Sequence, residues 1–333
     1  MKKIPALLAG LLLTIGLAST DSAASAEQTK PIHFGALGWE SGALTTEILR
    51  HIVEHGYGYP TDTLPGSTVS MEVALARNDL QVIAEEWAGR SPAWVNAEKA
   101  GEVFALGDTV KNAEEGWWVP AYVVKGDKAP APGLRSVEDL KRYASVFKDP
   151  EDPVKGRFLN SPSGWTSEIV NSQKLKAYGL EDLYTNFRTG SGAALDAEVD
   201  SAIRRKKPVL FYYWSPTALI GRYDLVRLQE PPFDAAAWAT LTDAKNPNPK
   251  GSQSLPAKLS IGVSKAFRDG YPQLVAVFEK VDLPIDRLNK ALAEMNEKRL
   301  PATDAAKAFL RANPDVWKAW LPADVAGKVE ASL

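Results

Sequence analysis

IHFGALGWESGALTTEILRHIVEHG, residues 32–56, opens as a short apolar strand, passes through a glycine-containing loop and enters a helix. Ile48, Leu49, Ile52 and Val53 recur at helical spacing between Thr45 and His55, and Gly56 ends the pattern. A second helix is predicted around Val69 to Arg77. Asn78 and Asp79 then turn the chain into LQVIAEEW, residues 80–87, a strand followed by its tryptophan. Strand, helix, helix, strand is the rhythm of an α/β layered fold. In open α/β sheets ligands gather beyond the carboxyl ends of strands, the position that Trp39 and Trp87 occupy.

Farther along, GWWVPAYVV, residues 116–124, reads as one long strand carrying a proline, tolerated at an edge or a crossover, and so as the first hinge. Ser136 with Asp139 three residues on is an Asp version of a capping box. The turn cluster NSPSG, residues 160–164, precedes a helix over about 166–178, and another helix covers 193–206. VLFYY, residues 209–213, is a strand ending at Trp214, and Pro216 opens the next short helix. Residues 243–256 read as an exposed loop, 259–263 as the returning crossover strand and the remainder as helices. The expectation is two α/β lobes, lobe I over residues 27–122 and 256–333 and lobe II over 123–255.

The N-terminus reads as a secretory signal over residues 1–26. Lys2 and Lys3 precede the apolar stretch Ala6 to Leu17, and Ala24-Ser25-Ala26 is a small-x-small cleavage site. The apolar run is short for a membrane span. A freely diffusing periplasmic monomer is expected. The chain has no cysteine, which excludes a disulfide framework and thiol metal ligands. A formal net charge of −2 offers neither a basic footprint for nucleic acid nor a polybasic membrane patch.

Trp87 in AEEWAGRSP, Trp165 in NSPSGWTSE and Trp214 in FYYWSPTAL all stand where a predicted strand gives way to a loop or helix. One indole there often seals the end of a core. Three at chain crossovers read as a box whose ring faces attract a cation without a formal counter-charge. A quaternary ammonium, which has no N–H to donate, is held in this way. The reading is a cation-binding protein and not an enzyme. Trp39 is a further candidate, capping the cleft or sealing the core. Of Trp117 and Trp118, strand alternation sends one inward and one outward. Trp94, Trp238, Trp317 and Trp320 are assigned to packing.

With these segments placed, the chain resembles the substrate-binding proteins of glycine betaine/proline betaine ABC transporters. The resemblance rests on Trp87, on the turn Ser161-Pro162-Ser163-Gly164-Trp165 and on Tyr212-Tyr213-Trp214-Ser215-Pro216, in succession over nearly the whole mature chain. It implies a two-lobed type II periplasmic binding protein fold, hinged on two crossover strands and closing on its ligand. It implies an indole box of Trp87, Trp165 and Trp214, with the backbone N–H groups of Thr166 and Ser167 receiving a ligand carboxylate. A helix N-terminus suits an anion on its own account. The resemblance also implies a membrane ABC permease as partner, and no cofactor or metal is expected.

This sequence departs from the family where some members place a histidine after the first-lobe tryptophan. It has Arg90 and Ser91 there, and Arg90 is either a bidentate replacement or a surface arginine. Glu85 and Glu86 beside Trp87 are either solvated strand-end groups or carboxylates that favour choline or trimethylamine N-oxide over glycine betaine. The competing class is an exported sugar-binding protein or hydrolase with aromatic platforms. The Ser, Thr, Gly, Pro and Tyr neighbours of Trp165 and Trp214 favour instead a cation with one anionic end. His51-Ile52-Val53-Glu54-His55 matches the H-x-x-E-H zinc-peptidase pattern literally, but the apolar stripe of its helix predicts that both histidines face water.

Overall fold

Ten strands form two mixed five-stranded sheets in a computed structural model that describes residues 30–333. The predicted signal segment and its cleavage site lie outside the described residues. In chain order the strands are β1 (Ile32–Ala36), β2 (Thr61–Pro65), β3 (Val82–Trp87), β4 (Val103–Val110), β5 (Glu114–Pro120), β6 (Gly156–Asn160), β7 (Tyr184–Arg188), β8 (Leu210–Ser215), β9 (Leu225–Arg227) and β10 (Leu259–Ser264). The first sheet runs β2-β1-β3-β10-β4 and the second β7-β6-β8-β5-β9. Each has a parallel trio into which one antiparallel strand is inserted at the fourth position. That strand is β10 in the first sheet and β5 in the second, each the strand by which the chain enters that sheet from the other. This is the α/β class expected from the sequence.

The helix Glu40–Tyr57 packs on the first sheet through Leu44, Ile48, Leu49, Ile52 and Val53, all fully buried. Each such side chain contributes about 1.5–3 kcal/mol by leaving water. The helix starts earlier than its apolar pattern, because Trp39 in extended conformation opens it. It runs past Gly56 to Gly58, whose left-handed backbone (φ 76°) donates back to Glu54. Its other side is covered by the C-terminal helices Ala302–Ala312 and Ala323–Ala331. That cover overturns the expectation for the H-x-x-E-H pair: His55 is exposed, but His51 is buried and bonds to Ser332 Oγ at 2.9 Å. Burial, helped by the neighbouring His55, brings the His51 pKa down to about 4, so the ring is neutral. Among the described residues no group of three or more potential metal ligands converges.

The stretch 116–124 is not one strand. β5 stops at Pro120, which has no N–H with which to continue a ladder, and Ala121–Val124 forms a helical turn. The passage between sheets lies upstream, between Val110 and Glu114. Trp117 and Trp118 are both buried, since β5 is covered on both faces; their indole N–H groups bond Asn171 Oδ1 (2.8 Å) and the Tyr213 carbonyl (3.2 Å). The capping box at Ser136 and Asp139 is present, on a short 3-10 helix. The loop over 243–256 is not wholly exposed: Ser252 is buried near its end.

Candidate functional site

The carboxyl ends of four parallel strands deliver four tryptophans to one place. Trp39 follows β1, Trp87 closes β3, Trp165 follows β6 and Trp214 lies at the end of β8. The first two belong to the first sheet and the last two to the second. Trp165 meets Trp39 edge-on at 5.2 Å and 72°, and Trp214 at 5.3 Å and 74°. Tyr213 stacks behind Trp214 at 4.7 Å. The rings wall a small cavity of about 50 Å³. All eight residues singled out from the sequence line it: Trp39, Trp87, Trp165 and Trp214, with Glu86, Arg90, Thr166 and Ser167.

Glu85 and Glu86 are adjacent on a strand, yet both line the cavity and both are buried, against the reading of solvated strand-end groups. The cause is a bulge. From Ile83 to Glu86 β3 advances three residues while its partner β10 advances two, from Gly262 to Ser260. The extra residue breaks the alternation that would send neighbouring side chains to opposite faces. Glu85 Oε1 accepts from Trp39 Nε1 (2.7 Å), Ser41 Oγ (3.1 Å) and Trp87 Nε1 (3.2 Å). Burial raises its pKa, and these three donors oppose the rise. The Glu86 carboxyl has no hydrogen-bond partner among the described residues. Burial and then the nearby Glu72 charge push its pKa well above the usual carboxylate range, which favours the protonated form.

Two further carboxyl groups escaped the sequence reading. Glu72, on the helix Thr68–Ala76, lines the cavity and is raised to about 7 by burial, against hydrogen bonds from Ser91 and the Trp94 N–H. Glu115, on β5, is also buried, which would raise it. Arg90, Tyr212 and Lys174 outweigh burial and hold it below the usual carboxylate range. No pattern marks either one: a lone glutamate in a helix or strand ordinarily faces water.

Arg90 is not a surface residue. Its guanidinium packs on Trp87 at 4.9 Å and donates to Glu115 Oε1 (2.5 Å) and to the Leu255 carbonyl (3.0 Å). Both terminal nitrogens are therefore engaged by the protein, and the Glu115 bond joins the two sheets. Thr166 and Ser167 are the first residues of the helix Thr166–Ala177, where N–H groups have no carbonyl within the helix. The turn before them needs glycine: Gly164 has φ +89°, and a Cβ there would stand 2.7 Å from Ser67 Cβ of the other half.

A family model for the substrate binding domain of ABC-type glycine betaine transport systems matches residues 30–312. The trimethylamine N-oxide-binding protein of Pelagibacter ubique is 25% identical over 321 residues, 95% of this chain and 98% of that protein. The glycine betaine/proline betaine-binding periplasmic protein of Escherichia coli is 26% identical over 254 residues, 73% of this chain and 72% of that one. Among solved structures, a glycine betaine/L-proline-binding protein from Borrelia burgdorferi superposes with a TM-score of 0.69 at 20% identity, covering 90% of this chain and 100% of its own. The two-sheet architecture is thus that of the periplasmic binding proteins, with a lobe on each sheet.

Proposed function

Because the chain belongs to the family of substrate-binding domains of ABC-type glycine betaine transport systems, we propose that it captures a trimethylated amine among Trp39, Trp87, Trp165 and Trp214. It then hands the amine, chemically unchanged, to a membrane permease. Lobe I is the part built on the first sheet and lobe II the part built on the second. The chain passes between them just after Val110 and again on its way to β10. The lobes swing together around the ligand, and the permease recognises the closed form. The predicted signal peptide and the relatives' location support a periplasmic site of action for a monomeric receptor.

The ligand we assign is trimethylamine N-oxide. One observation carries this: four indoles and the buried carboxyl groups of Glu72 and Glu86 line the same small cavity. Indole faces suit the methylated cationic end, each contact contributing about 0.5–2 kcal/mol once desolvated. An N-oxide oxygen accepts from a neutral acid such as Glu86 without bringing a second full charge. It is also the smallest of the candidate ligands. Glycine betaine is the second reading, favoured by the open N–H groups of Thr166 and Ser167, which suit a carboxylate. Arg90, whose two terminal nitrogens are engaged by Glu115 and Leu255, supports closure and not a ligand clamp.

Titration calorimetry with trimethylamine N-oxide, glycine betaine, choline and a set of sugars tests both levels. The expected order places trimethylamine N-oxide first. Tighter binding of glycine betaine by about tenfold, or 1.4 kcal/mol, would transfer the assignment to the carboxylate ligand. Binding of a sugar with no heat from any methylated amine would overturn the proposal altogether.

A further inference from the structure

Glu85 lines the tryptophan cavity, yet the geometry points to a role other than that of counter-ion to the ligand. One carboxylate oxygen, Oε1, receives the indole N–H of Trp39 at 2.7 Å, that of Trp87 at 3.2 Å and the Ser41 hydroxyl at 3.1 Å. We propose that Glu85 is the positioning residue of the cage, tying Trp39 and Trp87 into one platform before any ligand arrives. This rests on the reading of the cavity as a methylated-amine site.

Three features carry the argument. An indole N–H lies in the ring plane, so a tether at that edge fixes the ring's orientation while leaving its faces free for a cation. All four residues of the tether belong to the first sheet and the helix that follows β1, so opening the lobes does not break it. Ser41 and Glu85 are almost entirely buried, which shields the bonds from competing water. Trp165 and Trp214, by contrast, reach the cavity from the second sheet, and of the two Trp165 meets Trp39 across the lobes. Half of the cage is therefore built in advance, and the ligand pays the ordering entropy only for the remainder.

Substitution separates a tether from a charge. Glu85→Gln keeps an acceptor oxygen and removes the negative charge, whereas Glu85→Leu removes both. If Glu85 acts as a tether, Glu85→Gln binds trimethylamine N-oxide close to wild type in calorimetry and Glu85→Leu loses about tenfold, the factor for 1.4 kcal/mol. Nitrogen–proton correlation spectra of the ligand-free protein give the readout that a general packing role does not move. The indole resonances of Trp39 and Trp87, assigned through Trp39→Phe and Trp87→Phe, shift in Glu85→Leu and stay in place in Glu85→Gln. Equal loss of affinity in both variants, or unmoved resonances in Glu85→Leu, would overturn the tether. Should Glu85→Leu not fold, the wild type decides: fast solvent exchange at both indole N–H groups refutes the proposal, and protection supports it. A wild type that binds no methylated amine would defeat the functional reading, while the spectra still report on the tether.

Discussion

Trp165→Ala is the substitution whose cost follows most directly from the arrangement of the rings. Trp165 is half-buried at the start of its helix, so its loss should change the melting temperature of the ligand-free protein little. Two contacts disappear from the closed, liganded form alone. One is the ring face offered to the cation, worth about 0.5–2 kcal/mol. The other is the edge contact with Trp39 across the lobes at 5.2 Å, worth about 0.5–1.5 kcal/mol for an aromatic pair. The contact with Trp214 at 5.3 Å lies within lobe II and is lost from open and closed forms alike, so it cancels. The expected loss of affinity is about 1–3.5 kcal/mol, roughly 5- to 300-fold in Kd. Titration calorimetry with trimethylamine N-oxide measures it, and Trp165→Phe should recover part. A folded Trp165→Ala protein with wild-type affinity would refute the reasoning.

Arg90→Ala should weaken trimethylamine N-oxide and glycine betaine by the same factor, about tenfold or more, because it strands buried Glu115 and loosens the closed form. A loss confined to glycine betaine in calorimetry would mean that Arg90 clamps a ligand carboxylate instead. Glu40 accepts from the Ala218 N–H (2.8 Å) and from Asn296 (2.6 Å), bridging the two halves. Burial, above all, raises its carboxyl from 4.5 to about 7, against the pull of the Ala218 N–H. The closed form favours the protonated acid, so this contribution is complete below about pH 4.5 and is lost as pH rises through about 7. On ligand-saturated protein, Glu40→Gln should gain thermal stability relative to wild type across that window, by up to roughly 3 kcal/mol. A difference that is flat with pH would contradict the sign.

Local sequence was enough to establish the layered class, most helices and the tryptophan positions. Period-3.6 apolar stripes such as Ile48 to Val53 and indoles at strand ends are signals carried within a few residues. Chain order alone also put Trp87, Trp165 and Trp214 in matching contexts, and made Thr166 and Ser167 the start of a helix. Only the tertiary structure decided what surrounds them. His51 is buried because helices from the far C-terminus cover the outer side of its own helix, a contact 281 residues away in sequence. Glu85 and Glu86 share one cavity because a bulge, set by register against the distant β10, cancels their alternation. The terminal nitrogens of Arg90 are engaged because Glu115 and Leu255, from another strand and a later loop, reach them. Protonation, pairing and enclosure depend on what is packed within a few ångströms in space, and a chain read in order does not specify those neighbours until it has folded.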